Sequence, residues 1–415
     1  MLRHRLDNGL RVVLSPDGTV PAVGLAVMVD VGSRDETPGT SGFAHLFEHL
    51  MFQGSEHVAK GQHIALVQGC GGRVNANTSS DRTLYYQSLP AEQLPLGLWL
   101  EADRLRALDL SAENFENQRQ TVMEERRQRV DDAPYGQAGV RRAELSFGCW
   151  AYAHPVIGYW EDLHAATLPM ARAFHARWYR PGNVVLSIAG DLDPDETMAR
   201  VEAWFGALEP GPVPPTPDLA QPERDGVVLE RMTDPLARLP AVFVNHPAPP
   251  FDHPDFFTFE VIEAVLLGGP GSRAWRRLVV DEQLAVQVSG GYEARRGASL
   301  FTLQGVAGAG RPLGPIVDAW QGELDRLGRE PVDADTWRRA VNRITSARVF
   351  SKESVLRRAT TFARAELFLG DARWENGYLR RLHEVQPEAL MAVARRWLRP
   401  EAQVVLEVHP PEDAS

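Results

Sequence analysis

The chain has 415 residues, 44% hydrophobic and 24% charged, a globular composition too long for one ordinary core. A net charge of −11 argues against a nucleic-acid partner and mildly favours basic substrates. No apolar run approaches the roughly 20 residues of a membrane span, the first residues "MLRHRLDNGLRVVL" lack a signal-peptide core, and two cysteines, Cys70 and Cys149, fit a reducing, cytoplasmic setting.

The first elements in chain order are two strands, "GLRVVLSP" (9–16) and "AVGLAVMVDVG" (22–32), expected to pair. "SGFAHLFEHLMFQGS" (41–55) follows. On a helix at about 100° per residue, His45, Glu48 and His49 share one face, and Phe43, Leu46, Phe47 and Leu50 the opposite one. Histidines at i and i+4 can reach one metal ion from the same side of a helix, and a Glu between them can reach water bound there. This is the H-x-x-E-H arrangement, the inverse of H-E-x-x-H. A solvated surface helix fits such apolar flanks poorly.

A hydrolytic zinc site has three protein ligands and an open position. His57 and His63 lie in a polar loop or the next helix and read as surface residues. "GRVNANTSS" (72–80) and "RTLYYQSLP" (82–90) read as two more strands joined by a turn. A helical pattern follows from "EQLPLGLWLEADRLRAL" (92–108). The next, "SAENFENQRQTVMEERRQRV" (111–130), has Ser111 to cap its start and Pro134 beyond its end. There Phe115, Gln118, Val122 and Glu125 share a face, and Glu124 lies on the far side. A carboxylate on a buried face needs a partner, and a divalent cation is a good one, so Glu125 is the candidate third ligand.

"ARAFHARWYRPGNVVLSIAG" (171–190) reads as helix, Trp-x-Arg-Pro, then strand, and "LMAVARRWLRPEAQVVLEVHP" (390–410) repeats that order. Between them lies the Pro-rich "EPGPVPPTPDLAQPERDG" (209–226), which can be neither helix interior nor central strand. Duplication gives an expected layout of residues 1–212, a linker at 213–225, and 226–415. Strands mixed with helices imply an α+β fold, each half a mostly antiparallel sheet covered by helices. "LLGGPGSRAWRRL" (266–278) lacks G-x-x-x-x-G-K-[ST] and reads as a turn between elements, not a phosphate loop. Cys70 reads as a small packed residue.

These residues together resemble the pitrilysin/insulinase family of zinc metallopeptidases, in particular the bacterial proteins similar to mitochondrial processing peptidase. The resemblance rests on "HLFEH" (45–49), "GGRVNANTSSDRTLYY" (71–86), "ENQRQTVMEE" (116–125), and the opening "LDNGLRVVLSP" with "GSRDE". It extends along the whole chain, and it implies two homologous domains forming a clam-like cleft, the first carrying zinc. By this resemblance His45, His49 and Glu125 bind Zn2+, and Glu48 is the general base of peptide hydrolysis. Asn75, Ala76, Asn77 and Thr78 would lie on a substrate strand that pairs with an extended peptide. Read without the resemblance, "NANTSSD" is a polar hairpin turn.

Two positions depart from the family pattern. Gln118 stands where many members carry a second Glu; it cannot exchange protons, which leaves it a supporting, orienting role. In "LVVDEQLAVQVSGGY" (278–292), Val279 and Val286 stand where active members often carry an Arg and a Tyr that hold the substrate. Losing such donors typically costs about 10²–10³ in rate. The expected consequence is a heterodimer with a paralogous subunit that supplies the pair, with a homodimer as the second possibility. A non-catalytic scaffold of the same fold is the competing expectation.

Overall fold

The computed structural model describes residues 1–222 and 226–411. Among the described residues, eleven strands form two sheets: β1 (Leu2–Arg5), β2 (Arg11–Pro16), β3 (Ala22–Val29), β4 (Arg73–Thr78), β5 (Thr83–Pro90) and β6 (Val184–Gly190), then β7 (Val228–Thr233), β8 (Ala241–Ala248), β9 (Gln287–Glu293), β10 (Ser299–Val306) and β11 (Val404–His409). The first sheet runs β1-β2-β6-β3-β5-β4 and the second β7-β11-β8-β10-β9. All neighbours are antiparallel except β2 with β6 and β7 with β11. The fold is α+β, as expected.

β2 and β3 do not pair with each other. β6 inserts between them, Val12 facing Leu186 on one side and Val27 facing Leu186 on the other. The reason is composition: every residue of β6 is buried, and a strand apolar on both faces belongs at the centre of a sheet. In the second sheet β11 inserts between β7 and β8 in the same way. Both inserted strands follow the repeated junction. A helix ends at Trp178 or Trp397, a short turn starts at Pro181 or Pro400, and the strand begins. The duplication seen in sequence is therefore also one of topology.

All strands of the first sheet precede the Pro-rich stretch and all strands of the second follow it; residues 223–225 of that stretch lie outside the described residues. The helices divide differently. The first compact unit comprises Met1–Glu125, His154–Pro217 and Val349–Gly377, and the second Arg126–Ala153, Asp218–Arg348 and the chain from Tyr378 onward.

In the first unit, Val27, Tyr85, Leu186 and Ile188 pack with Phe43, Leu46, Phe47 and Leu50 of the Phe43–Leu50 helix. The other face of that sheet meets the Val355–Leu369 helix, Ala26, Met28 and Val185 against Ala359, Phe362 and Ala363. Gly24 allows this approach, because a Cβ there would lie 2.6 Å from the Leu356 backbone. In the second unit, Phe243, Leu406 and Val408 pack with Ala138 of the Gly136–Ser146 helix, while Phe301 sits between Phe259 and Trp320, with centroids 5.4 and 5.7 Å away. "LLGGPGSRAWRRL" joins two helices, one ending at Leu267 and the next starting at Arg273. Among the described residues, no helix is long and apolar enough to cross a membrane.

Candidate metal centre

The apolar stripe of Phe43–Leu50 is wholly buried, which turns the opposite stripe, with His45, Glu48 and His49, away from that apolar core. The Ala112–Arg126 helix supplies the remaining group. Ser111 Oγ accepts from Asn114 N–H at 3.3 Å and caps its start. Asn114 Nδ2 donates to Gln53 O at 3.2 Å, which ties that start to the turn after the histidine helix. Phe115 and Val122 are buried and Glu124 is exposed, so Glu125 turns inward, as the helical periodicity predicts.

His45 Nε2 lies 3.7 Å from Glu125 Oε1, and His49 Nε2 lies 3.2 Å from Glu125 Oε2. The three ligand atoms fall within 4.8 Å of one another. Imidazole and carboxylate ligands sit about 2.0–2.2 Å from a tetrahedral ion, which places two such atoms about 3.3 Å apart. The two His–Glu125 spacings lie close to that, and two nitrogens with one carboxylate suit a divalent cation. A second group, Glu56, His57 and Asp103, also converges. Arg106 Nη2 already fills it, 2.8 Å from Glu56, 3.2 Å from His57 Nδ1 and 3.1 Å from Asp103. That cluster has its cation.

Glu48 stands beside these three side chains. Burial pushes its carboxyl above the ordinary value; Thr78, His49 and Arg82 oppose this and Glu125 adds to it. A carboxylate with a raised pKa is a better proton acceptor near neutrality. Thr78 Oγ1 donates to Glu48 Oε2 at 2.5 Å. Arg82, half-buried and drawn down to about 10 chiefly by desolvation, donates to Asn77 O at 2.7 Å and to its side-chain oxygen.

β4 carries the four expected substrate contacts and lies at the sheet edge, paired among the described residues with β5 alone. Ala76 N–H donates to Asn75 Oδ1 at 2.8 Å on the exposed side of the strand. Of the four, Asn77 and Thr78 spend their side chains on Arg82 and Glu48. Gln118 is buried on the Glu125 face and donates to Asn117 Oδ1 at 2.7 Å.

His63 is not a surface residue. It is 4% exposed, packs edge-on to Phe52 at 5.8 Å, and burial holds it well below the ordinary imidazole pKa. Its helix turns that face to the core. Cys70 is half-buried and its thiol donates to Val67 O at 3.1 Å. Sequence reasoning missed Arg82 and the role of Thr78; a lone Arg in a hairpin carries no periodic signal.

Comparison with known proteins adds to this geometry. Residues 11–146 match the family model described as Insulinase (Peptidase family M16), and residues 165–344 match the one described as Peptidase M16 inactive domain. The chain is 31% identical over 285 residues to the zinc protease PqqE of Helicobacter pylori, a match covering 68% of this chain and 64%, less than two thirds, of that one. It is 26% identical to the uncharacterized zinc protease YmxG of Bacillus subtilis over 95% of both chains. Among solved structures, a protease from Helicobacter pylori superposes with a TM-score of 0.94 at 24% identity, covering 99% of each chain.

Proposed function

Because this chain belongs to the insulinase (M16) peptidase family, we propose that it is a zinc-dependent endopeptidase acting on peptides or unfolded segments. The observation that carries this reading is the convergence of His45, His49 and Glu125, with Glu48 on the same helical face. Zinc held by those three side chains would act as a Lewis acid that acidifies water and polarises the scissile carbonyl. Glu48 takes the proton from the attacking water and delivers it to the leaving amine. Thr78 holds one oxygen of that carboxylate in place. The outer edge of β4 lines up an extended peptide by strand addition, which folded proteins cannot supply.

The side chains of Val279 and Val286 cannot donate a hydrogen bond, and Val286 is 57% exposed. We therefore assign the missing Arg–Tyr pair to a paralogous subunit in a heterodimer; a second copy of this chain would bring only the same valines. These valines also favour a second reading, a non-catalytic scaffold of the same fold, as does the second half's match to a domain described as inactive.

The test measures bound zinc in the purified chain, then peptide cleavage with and without chelator, alone and with the paralogue. Chelator-sensitive cleavage that requires the paralogue and is abolished by Glu48→Gln, with zinc retained, is expected. Full activity from the chain alone would defeat the heterodimer. Zinc without cleavage under any pairing would leave the scaffold.

A further inference from the structure

The Phe43–Leu50 helix is only eight residues long, so the aim of its two histidines depends on how its first turn is held. Gly42 at its N-cap has φ +88° and no side chain to accept from the first amides. The acceptor comes from elsewhere. Glu36 Oε2 accepts from Gly42 N–H at 2.9 Å and Oε1 from Ala44 N–H at 2.7 Å. One carboxylate thus spans two amides at the positive end of the helix. The Glu36 side chain is 0% exposed, as is that of His154, whose Nε2 lies 2.9 Å from Glu36 Oε2. Burial pushes the Glu36 carboxyl up, while His154 and the two amides pull it down.

The segment after His154 closes over the same turn. Asp162 Oδ2 accepts from Ser41 N–H at 2.9 Å and from Ser41 Oγ at 2.5 Å, and Ser41 Oγ accepts from Tyr159 N–H at 2.9 Å. Gly42 and Gly158 meet backbone to backbone: a Cβ on Gly42 would lie 2.8 Å from Ile157 O, and one on Gly158 2.5 Å from Ser41 O. Such contacts leave the helix little room to roll.

We propose that the Glu36–His154 pair is a positioning device for the metal centre: it sets the axial rotation of the Phe43–Leu50 helix so that His45 and His49 meet Glu125 at one point. Neither residue of the pair is a ligand; each acts through the helix. The lever is long. Side-chain tips lie about 6 Å from a helix axis, so a roll of about 10° moves an imidazole nitrogen by about 1 Å. Ligand distances tolerate only about 0.2 Å. The inference rests on the zinc peptidase reading for its kinetic arm but not for its binding arm.

The test uses the full chain with Glu36→Gln, His154→Ala and His154→Gln, with the paralogue present for the kinetic arm. Zinc affinity is read by competition with a chelating dye, the geometry by the visible spectrum of the cobalt(II) form, and the kinetics as separate kcat and KM. Glu36→Gln and His154→Ala are expected to weaken zinc binding about ten- to a hundredfold, to distort the cobalt bands, and to lower kcat with KM within about twofold. His154→Gln, whose amide can still donate to Glu36, is expected to restore most of the affinity. If Glu36→Gln does not fold, His154→Ala carries the same readout with Glu36 intact. Variants that lose thermal stability yet keep wild-type zinc affinity and cobalt spectrum would overturn the proposal and leave the pair a purely structural lock. A wild-type chain that binds zinc but cleaves nothing even with the paralogue present would defeat the peptidase reading and leave the affinity comparison in force.

Discussion

Thr78 Oγ1 lies 2.5 Å from Glu48 Oε2, so the edge strand proposed to receive substrate and the helix that carries the proposed base share a hydrogen bond. The hydroxyl donates, which favours the charged carboxylate and fixes its rotamer. A change in β4 on peptide binding would therefore be felt at Glu48. Thr78→Val keeps the shape and removes the donor. Hydrogen bonds to charged groups are worth about 1.5–3 kcal/mol, so kcat for peptide cleavage should fall about ten- to a hundredfold. Zinc affinity should hold, and Thr78→Ser should recover most of the rate. A valine variant with wild-type kcat would remove Thr78 from the machinery.

Glu124 and Glu125 are neighbours in sequence but face opposite ways. The first is exposed, while the second reaches 3.2 Å from His49 and 3.7 Å from His45. Glu125→Gln should weaken zinc binding by at least about tenfold, because a neutral amide oxygen replaces an anionic ligand. Glu124→Gln should leave it within about twofold. Metal analysis of the two dialysed variants decides this, and the reverse order would refute the placement of Ala112–Arg126 around the site.

What the sequence made legible here was local. The facial split of residues 43–50 and the inward turn of Glu125 follow from a 3.6-residue period, which needs no knowledge of distant chain. The capping of 112–126 by Ser111 was readable for the same reason. Non-local facts were not. The insertion of β6 between β2 and β3 joins strands more than 150 residues apart, and only its apolar character on both faces hinted at a central place. His63 sits in a polar stretch, yet its helix turns it under Phe52. Glu36 and His154 are 118 residues apart; "GSRDE" marked the first without showing what it caps. The turn of Thr78 towards Glu48 depends on which face of β4 meets the helix, and a six-residue polar strand leaves its register open.

Ala76 offers a test of strand addition. Its N–H points to Asn75 Oδ1 on the exposed side of β4, so proline there removes a donor without breaking the pairing to β5. Edge strands tolerate such a proline. Ala76→Pro should raise KM for an extended peptide about tenfold or more while zinc content stays at wild type. A variant with unchanged KM would place the substrate elsewhere than along this edge.

Asp35 gives a stability signal separate from catalysis. Burial pushes its carboxyl up to about 6 from an ordinary 3.8, with Arg34 and the Gly32 N–H at 2.9 Å opposing. The sign follows from linkage. A folded-state pKa above the unfolded one means the neutral acid is the form that folding favours. That contribution is complete below about pH 4 and is lost as pH rises through about 6. A two-unit shift corresponds to about 2–3 kcal/mol. Asp35→Asn keeps an acceptor for Gly32 and never ionises, so the stability of the variant relative to wild type should improve by about that amount between pH 4 and pH 7. Urea unfolding of both chains across that window measures it. Parallel curves for the two chains would mean that Asp35 is ionised throughout, held so by Arg34.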